Sequence, residues 1–386
     1  MRTTRDVATR APERHCPLCG SRHGTLLLSR RDVPVLSNRL YPTRDSARAA
    51  PTGRLHIVTC STCGFSFNAC FDPNLVVYDA DYENDQARST CFSRHLDDIR
   101  CRLLRRVEGR RSQILEIGCG QGRFLEAIVA QGAGRIEAAG YDAAWRRRIL
   151  PKGLRIEAAN FSAAAAGGDA AFDLVLARHV IEHVAEPVAF LRAMAAALGP
   201  SGRICIETPD LEWSLATGQM QDFHYEHCNY FTAASLTEAF RQAGLAATSV
   251  ETVFGGQYLW AEAHLAAAPP RPDRNAADAE PDTGFFTRWQ WGLTAMAGPV
   301  AVWGAGAKGV TFAAAADPAA ELLTCLIDVN PNKQGKFVPR TGHPVVAPEV
   351  AARLGIATIL VMNPNYCDEI AQHAGTAGLR AELRPC

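Results

Sequence analysis

Residues Gln113–Ile128 read QILEIGCGQGRFLEAI, and this segment decides the fold of the chain. An apolar run ends in Glu116 and leads through Gly118, Gly120 and Gly122 into an amphipathic stretch. This order is typical of a strand, a tight glycine turn and a helix. Glycines let a ligand approach the bare backbone, and the first turn of a helix offers unpaired N–H groups. The sequence therefore predicts a ligand-binding turn between a strand and a helix.

The spacing of the glycines indicates which ligand the turn binds. A dinucleotide-binding turn reads G-x-G-x-x-G, whereas this turn reads Glu-x-Gly-x-Gly-x-Gly. That spacing resembles motif I of class I methyltransferases that use S-adenosylmethionine (SAM), a ligand whose amino-acid end lies at the glycines. Arg135–Asp142 is a strand candidate that ends in an acid, and a carboxylate can accept hydrogen bonds from two ribose hydroxyls. The residues predicted to hold SAM are Glu116, Gly118, Gly120, Gly122, Asp142, Asn160, Phe161 and Arg178, with Asn160 and Phe161 beside the adenine.

The composition argues against several classes of protein. The chain has 386 residues, enough for two or three domains, and its 40 basic and 40 acidic residues give a net charge of zero. A protein that binds nucleic acid usually carries a basic excess, so we expect no nucleic-acid partner. No stretch resembles a membrane span or a signal peptide. Because the chain has 13 cysteines without such a signal, and four of them form CxxC pairs, we expect a metal-binding protein of the cytoplasm.

The pattern along the chain predicts an α/β protein of three domains. Residues 15–75 form short strands and turns around the cysteine pairs, and residues 76–265 alternate strand and helix patterns, which predicts a parallel sheet with helices on both faces. Residues 266–284 are rich in Pro, Ala and charge and are predicted to be a linker. Residues 285–386 form a second, smaller Rossmann-like domain. The predicted elements are a helix at Thr90–Val107 and strands at Ile114–Ile117, Glu137–Tyr141, Leu174–Ala177, Gly202–Glu207, Tyr258–Ala263, Val300–Trp303, Leu322–Asp328 and Thr358–Met362.

Two short knuckles predict a structural zinc site. They read CPLCG at 16–20 and CSTCG at 60–64. Two residues between cysteines let both thiolates reach one ion, and four thiolates close a tetrahedral site that stabilises the fold without doing chemistry. The spacer is long, so Arg30–Gly53 is expected to loop out as an insertion. The predicted ligands are Cys16, Cys19, Cys60 and Cys63.

Two segments of the middle domain carry side chains suited to proton transfer. Asp222–Phe231 reads DFHYEHCNYF, and a histidine beside a carboxylate can be held in one tautomer with a raised pKa, which suits a general base. The alternative is a polar loop with packed aromatics.

Arg178–Glu186 reads RHVIEHVAE and matches the zinc-protease pattern H-x-x-E-H. Because it follows a sheet strand of a SAM fold, we interpret His183 as facing the substrate; the alternative is that this histidine only packs.

A second glycine turn follows the strand Val300–Trp303. Gly304–Gly309 is a true G-x-G-x-x-G, and Asp328 lies at the distance of an acid that binds a ribose. Because methyl transfer needs no hydride, we expect this turn to hold a substrate diphosphate rather than NAD, with Lys308 as a point charge. The alternative is a duplicated fold without a ligand. The predicted substrate-binding residues are Tyr78, Tyr82, Gly304, Gly306, Lys308 and Asp328.

These motifs together resemble the three-domain family of SAM-dependent sugar C-methyltransferases. The resemblance covers nearly the whole chain after Arg14 and rests on both knuckles, YEN at 82–84, ILEIGCGQG, HVIEHV, YEHCNYF, VWGAGAKGVTF, DVNPNKQGKFVP and NPNYCDEI. It implies an N-terminal zinc-binding domain, a SAM domain, a C-terminal Rossmann-like domain and a nucleotide-linked keto-deoxysugar substrate. In the family a Glu-His pair supplies the base, which falls on Glu226 and His227, and the histidine that assists at the sugar falls on His183. The chain departs from the family where His224 replaces a tyrosine and where Arg340 replaces a glycine.

The predicted function is C-methylation next to a carbonyl of a nucleotide-activated sugar. His227, oriented by Glu226, would remove the proton α to the ketone, and His183 or His224 would stabilise the enolate oxygen. Tyr225 is a further candidate in the same segment. O- or N-methylation of a small metabolite needs the same base without the enolate stabiliser and stays an alternative, as does an RNA methyltransferase, which the zero net charge disfavours. A non-catalytic nucleotide-sugar binder is disfavoured by the intact SAM motif, and the chain is expected to be a monomer or a homodimer.

Overall fold

The computed structural model describes residues 14–78, 81–83, 89–162, 171–266 and 280–386. Most of the predicted linker, residues 267–279, lies outside the described residues, as does Asn84 of the YEN segment. The described residues form three sheets, of four, seven and five strands, and the predicted α/β class is confirmed. Within the same ranges, no helix combines the length and the apolar character needed to cross a bilayer.

The secondary structure follows the chain in this order. The strands are β1 (Gly24–Pro34), β2 (Thr52–Cys60), β3 (Ser66–Asn68), β4 (Ser112–Ile117), β5 (Ile136–Tyr141), β6 (Leu154–Glu157), β7 (Phe172–Arg178), β8 (Leu198–Pro209), β9 (Asn229–Tyr230), β10 (Leu245–Val253), β11 (Tyr258–Leu265), β12 (Val300–Trp303), β13 (Cys325–Ile327), β14 (Val345–Val346), β15 (Thr358–Val361) and β16 (Glu382–Pro385). The helices are α1 (Arg44–Arg48), α2 (Thr90–Arg106), α3 (Arg123–Gln131), α4 (Pro187–Ala196), α5 (Leu211–Ala216), α6 (Ala233–Gln242), α7 (Phe285–Ala295), α8 (Ala307–Ala316), α9 (Pro348–Arg353) and α10 (Cys367–Thr376). Short 3-10 helices lie at Pro73–Leu75, Ile181–His183, Met220–Asp222 and Pro364–Tyr366.

The N-terminal sheet has the order β1-β2-β3-β9 and is antiparallel throughout. Its last strand belongs to the YEHCNYF segment, so this sheet reaches the predicted catalytic residues. The insertion expected at Arg30–Gly53 is shorter than predicted, because Arg30–Pro34 and Thr52–Gly53 still pair in β1 and β2. Residues 35–51 leave the sheet and pack against the rest of the protein. Tyr41 exchanges backbone hydrogen bonds with Phe337, and the amide of Ser37 donates to Glu226. The insertion therefore touches both the middle and the C-terminal parts of the chain.

The two cysteine knuckles have the same backbone geometry. In each, the glycine after the second cysteine donates to the carbonyl of the first at 2.8 Å, and Gly20 and Gly64 have φ angles of 72° and 73°. This left-handed conformation suits glycine and turns the sulfurs toward one another. The sulfur of Cys16 lies 3.6 Å from that of Cys63, and the sulfur of Cys19 lies 3.5 Å from that of Cys60.

The four sulfurs fit a tetrahedral zinc ion. All four lie within 4.8 Å of one another, and zinc–sulfur bonds of about 2.3 Å would separate the sulfurs of a tetrahedral site by about 3.8 Å. The hydrogen bond with Cys63 lowers the pKa of Cys16 to about 6, so this thiol ionises readily. Cys16 and Cys60 are also buried in an apolar cluster with Leu115 and Val175 of the central sheet. The knuckles therefore brace the middle domain as well as their own sheet.

Metal analysis of the purified protein should give about one zinc per chain. Cys60→Ser should lower the free energy of unfolding by several kcal/mol, because it removes one of four ligands from a site that folds with its metal. Cys101→Ser is the matched control, since Cys101 is exposed on α2 and should unfold like the wild type. Metal-free protein of normal stability would contradict the site.

The central sheet has the order β10-β11-β8-β7-β4-β5-β6. Strands β8 to β6 are parallel, as predicted, but β10 and β11 form an antiparallel hairpin, and β11 runs antiparallel to β8. The prediction of a purely parallel sheet is therefore wrong at this edge. A hairpin needs only a short turn, and Gly255 and Gly256 supply it with left-handed backbone between the two strands.

The C-terminal sheet is parallel throughout, with the order β14-β13-β12-β15-β16. Strand β13 is shorter than the predicted Leu322–Asp328. The amides of Leu322 and Leu323 donate to the carboxylate of Asp317 instead of to a neighbouring strand. Arg340, which stands where the resembled family has glycine, takes a left-handed φ of 72° and donates its amide to Ala47. The turn therefore keeps the conformation for which glycine is the usual residue.

One apolar core joins the three predicted domains. It contains Ile57 of β2, Phe223 of the catalytic segment, and Val302 and Phe312 of the C-terminal domain, all nearly or fully buried. Polar contacts add to it at the edge of α2. The Glu369 carboxylate of α10 accepts hydrogen bonds from the Ser89 hydroxyl and the Cys91 amide, which caps the N-terminus of α2. A site between these domains is therefore held by packing from both sides.

Candidate active site

The first glycine turn connects β4 to α3 with left-handed backbone at Gly118, Gly120 and Gly122. A Cβ at Gly118 would lie 2.3 Å from the side chain of Val180, and a Cβ at Gly122 would lie 2.1 Å from Ile156, so packing requires glycine at both positions. A Cβ at Gly120 would meet nothing within 4 Å. Gly120 is therefore the point at which a ligand can approach the backbone.

Two acids flank this turn. Glu116 is fully buried, and one of its carboxylate oxygens accepts two hydrogen bonds from the Arg178 guanidinium at 2.7 and 2.9 Å. The other oxygen, Oε2, is buried and has no hydrogen-bond partner among the described residues. Asp142 follows β5 and accepts hydrogen bonds from the amides of Gly120 and Ala144, each at 2.8 Å. The turn thus presents an unpaired carboxylate oxygen and a second acid, which fit the amino group and the ribose of SAM.

The remaining predicted SAM residues lie beyond β6. Asn160 is exposed, and Phe161 packs edge-on against Tyr141 with ring centres 5.5 Å apart. Their place beside the adenine stays a prediction. The Val180 contact also fixes the neighbouring 3-10 helix, Ile181–His183, directly against the SAM turn.

A cavity of about 370 Å³ lies next to this helix, where the three predicted domains meet. The insertion contributes Asn38, the middle domain contributes the histidines of both predicted catalytic segments, and the C-terminal domain contributes the second glycine turn. The predicted residues that line the cavity are Tyr82, His183, His224, His227, Gly304, Gly306, Lys308 and Asp328. One continuous space therefore connects the candidate bases with the candidate nucleotide site.

Three histidines form a cluster on the middle-domain side of the cavity. The rings of His224 and His227 are 3.8 Å apart, and the rings of His183 and His227 are 4.8 Å apart. Burial lowers the pKa of His227 well below its usual range, and the nearby His224 and His183 lower it further. The prediction of a raised pKa is wrong, because burial and the neighbouring positive groups lower it. His227 is therefore a neutral imidazole at pH 7, able to accept a proton.

Glu226 has partners other than His227. Its carboxylate accepts hydrogen bonds from the Tyr82 hydroxyl at 2.5 Å and from the Ser37 amide at 2.6 Å. Burial raises its pKa. Among the described residues, no hydrogen bond joins Glu226 to His227, so Glu226 does not orient that ring as predicted. Instead it ties Tyr82 and the N-terminal insertion to the catalytic segment.

The two predicted tyrosines before the SAM domain lie together near the cluster. Tyr78 and Tyr82 pack edge to face with ring centres 4.8 Å apart, and the Tyr78 hydroxyl lies 3.2 Å from Nδ1 of His183. Tyr225 is placed differently. Its hydroxyl accepts a hydrogen bond from the Asp72 amide, and its ring fills the space where Gly53 has no side chain. Tyr225 therefore packs the N-terminal sheet and does not line the cavity, contrary to the catalytic prediction.

The second glycine turn repeats the geometry of the first. Gly304 has a φ of 98° and open space where a Cβ would lie, and Gly306 begins α8 without a side-chain cap. Asp328 accepts hydrogen bonds from the amides of Ala305 and Asn330, as Asp142 does at the first turn. The turn lies at the carboxyl edge of the sheet between β12 and β15, where the strand order reverses, which is the usual ligand position in such sheets.

Lys308 pairs with Asp222 of the catalytic segment at 2.6 Å. The lysine predicted to bind a phosphate therefore forms an ion pair with an acid of the middle domain. A second cation, Lys333, lies near the same turn, 3.1 Å from the Ala305 carbonyl and 3.7 Å from Asp328. The sequence prediction missed Lys333, although it lies in the DVNPNKQGKFVP motif.

Sequence reasoning also missed a buried chain of charged groups beside the cavity. The carboxylate of Glu207 lies 2.9 Å from Nε2 of His179 and 3.0 Å from Nε2 of His95. Burial lowers the pKa of His179, but the adjacent carboxylates of Glu182 and Glu207 outweigh it and raise this pKa to about 9. His179 has a left-handed φ of 55°, which is costly for a residue with a side chain and is common at functional sites. In the sequence, only the H-x-x-E-H spacing at residues 179–183 indicated this set of buried histidines and carboxylates.

Known proteins share both halves of this arrangement. Residues 88–250 match the family model described as a methyltransferase domain, and residues 290–379 match the model described as a C-methyltransferase C-terminal domain. The chain is also 25% identical to the C-methyltransferase NovU of Streptomyces niveus, over 93% of this chain and 91% of that protein. The chain is a SAM-dependent methyltransferase that carries a C-methyltransferase C-terminal domain. The predicted resemblance is thereby confirmed.

Other relatives match only part of this C-methyltransferase. A ubiquinone biosynthesis O-methyltransferase of Cereibacter sphaeroides is 40% identical, but over 25% of this chain and 40% of that protein. A solved 1,6-didemethyltoxoflavin N1-methyltransferase of Burkholderia thailandensis is 20% identical and covers 47% of this chain and 80% of that chain, with a TM-score of 0.35. At that TM-score the overlap adds nothing to the argument about the site.

Calorimetry should show that S-adenosylhomocysteine binds this C-methyltransferase and that Asp142→Ala weakens the binding about 10- to 100-fold. The loss corresponds to one or two hydrogen bonds to a charged group. Asp97→Ala is the matched control, because Asp97 is exposed on α2 and should leave the affinity unchanged. NAD should not bind. Tight NAD binding that a Gly304 variant removes would overturn the assignment of the second turn.

Proposed function

We propose that this C-methyltransferase methylates the carbon next to a carbonyl in a nucleotide-linked keto-deoxysugar or a closely related metabolite. The observation that supports it is the shared cavity: His227 and His183 line one side, and the glycine turn at Gly304 lines the other. A substrate with a reactive group at one end and a nucleoside diphosphate at the other would reach both. A substrate without the nucleotide would leave the C-terminal glycine turn without a role.

His227 is the proposed general base. It takes the proton from the carbon α to the carbonyl, the C–H electron pair moves into the enolate, and the carbanion attacks the methyl group. SAM, when bound at the first glycine turn, would supply that methyl group on an electrophilic sulfonium; the S–CH3 bond would break as the C–C bond forms, and S-adenosylhomocysteine would leave with the electron pair. His183 and His224 adjoin His227 and line the cavity, so a ring N–H of either can donate to the enolate oxygen. The Tyr78 hydroxyl contacts His183 and fixes its ring.

The C-terminal domain is proposed to hold the nucleotide end. The unpaired amides at the start of α8 and the charge of Lys333 suit a diphosphate, and Asp328 suits a ribose. Lys308 would exchange Asp222 for a phosphate oxygen or bridge the two. O- or N-methylation of a small metabolite would need no α-proton to leave, and this difference separates the alternatives experimentally.

His227→Ala should abolish exchange of the substrate α-proton for deuterium. The test uses a panel of nucleoside diphosphate-linked keto-deoxysugars in D₂O, with S-adenosylhomocysteine bound and no methyl donor, so that it reports proton removal alone. Loss of a positioned base typically costs about a hundred- to ten-thousand-fold in rate. His264→Ala is the matched control, because His264 is exposed at the end of β11. Near-normal exchange in His227→Ala would remove this residue from the mechanism.

The pH dependence of the exchange rate gives a separate check. The base must be neutral, and burial lowers the pKa of His227 well below 6.5, so acid should inactivate the enzyme only well below that pH. We expect a flat rate of exchange from pH 8 down through about pH 6.5, the ordinary pKa of histidine. A fall in the exchange rate centred near pH 6.5 or above would show that the pKa of the base is not lowered in this way.

A further inference from the structure

We propose that Glu182 is a positioning residue for methyl transfer, and that its carboxylate stabilises the imidazolium that forms when His227 takes the substrate proton. This proposal rests on the role of His227 proposed above. It gives a function to the H-x-x-E-H segment that the SAM fold does not otherwise require. It also fills the role that the sequence assigned to Glu226.

Glu182 is almost completely buried, with 1% of its surface exposed. Its Oε2 accepts a hydrogen bond from the Thr208 hydroxyl at 3.0 Å, whereas Oε1 is buried without a hydrogen-bond partner among the described residues. Burying a carboxylate costs several kcal/mol unless nearby charge compensates it. Oε1 lies 3.6 Å from Nδ1 of His179, and an imidazolium on the cavity side would compensate this buried charge further.

The geometry places that carboxylate beside the base. A carboxylate oxygen of Glu182, a ring nitrogen of His183 and a ring nitrogen of His227 all lie within 4.8 Å of one another. At this separation an opposite charge stabilises an imidazolium strongly in a buried site. Glu226 is held by Tyr82 and Ser37. Glu182 is therefore a carboxylate that lies close to both His183 and His227.

The charged groups with the largest effect on the pKa of His227 are other histidines and Lys308, and none of these is negative. The contacts are the rings of His183, His224 and Tyr230, and the charges of His179 and Lys308 lower the pKa of His227. Protonation of His227 in these surroundings is unfavourable without an anion. Glu182 lowers this cost in the transition state, when the proton has moved to His227 and the electron pair to the substrate enolate.

A second set of contacts holds Glu182 in place from behind. His179 Nδ1 lies 3.6 Å from Glu182 Oε1, and His179 Nε2 lies 2.9 Å from Glu207. His179 therefore bridges two buried carboxylates. Glu207 is in turn fixed by His95. The chain His95–Glu207–His179–Glu182 thus extends from α2 to the catalytic base.

Glu182→Gln and Glu182→Asp separate charge from shape. Glutamine keeps the size of the side chain and an acceptor for Thr208, whereas aspartate keeps the charge on a shorter side chain. If the charge acts on His227, Glu182→Gln should lower the rate constant of α-proton exchange about 10- to 100-fold with KM within about twofold, and Glu182→Asp should retain more activity than Glu182→Gln. Glu186→Gln is the matched control, because Glu186 is exposed three residues beyond His183 and should behave as wild type. Normal S-adenosylhomocysteine affinity in each variant shows that it is folded.

Several outcomes would overturn the proposal. If the exchange rate constant of Glu182→Gln equals or exceeds that of Glu182→Asp, the side chain acts through its shape and not through its charge. A rise in KM with an unchanged rate constant would make it a substrate contact. Metal analysis that gives one more divalent ion per chain in the wild type than in Glu182→Gln would make Glu182, His183 and His227 metal ligands instead. Absence of exchange in the wild type across the panel would overturn the proposed function and this role with it, whereas exchange that is lost in His227→Ala but kept in Glu182→Gln would overturn the role of Glu182 alone.

Discussion

The apolar core shared by the three predicted domains is the constraint on which the site depends. Ile57 of the N-terminal sheet, Phe223 of the catalytic segment and Phe312 of the C-terminal domain are buried together. Because interiors are close-packed, the walls of the cavity between these domains cannot shift independently. The cysteine knuckles reinforce this arrangement, since their cysteines pack against the strands that carry the SAM turn. The rate of a methyl transfer depends mainly on how the bound groups are positioned, and here that positioning depends on the packing of the shared core.

Four buried glutamates are the second feature on which the site depends. Glu116, Glu182, Glu207 and Glu226 are each 1% exposed or less, and each has a different means of compensation. Glu116 pairs with Arg178, Glu207 accepts from two histidines, and Glu226 accepts from a tyrosine and an amide. Such groups cost several kcal/mol to bury, so the presence of four of them in the middle domain indicates function rather than stability. Glu182 accepts from Thr208, and one of its oxygens lies within 4.8 Å of ring nitrogens of His183 and His227.

The sequence predicted much of the fold because its local signals are strong. The glycine turns at Gly118 and Gly304, the strands between Ile114 and Ala177, and the helix at Thr90 all combine periodicity with turn residues, and the structure confirms each of them. The antiparallel edge of the central sheet was predicted wrongly, because strand patterns do not record direction. No local pattern predicts that β9 joins the N-terminal sheet, because the paired residues Ser66 and Tyr230 are separated in sequence by more than half of the middle domain.

The sequence by itself determined which residue types are available: two cysteine knuckles, two glycine turns each followed by an acid, and two histidine-rich segments. Those features depend on spacing along the chain, which the backbone fixes locally. The tertiary structure decided which of these residues meet. Glu226 is adjacent to His227 in sequence, but successive side chains point in different directions, so its carboxylate reaches Tyr82 and Ser37, and Tyr225 turns into the N-terminal sheet. Glu182, 45 residues earlier in the chain, comes to lie beside His227 because Val180 packs against Gly118 and fixes the 3-10 helix at the cavity wall.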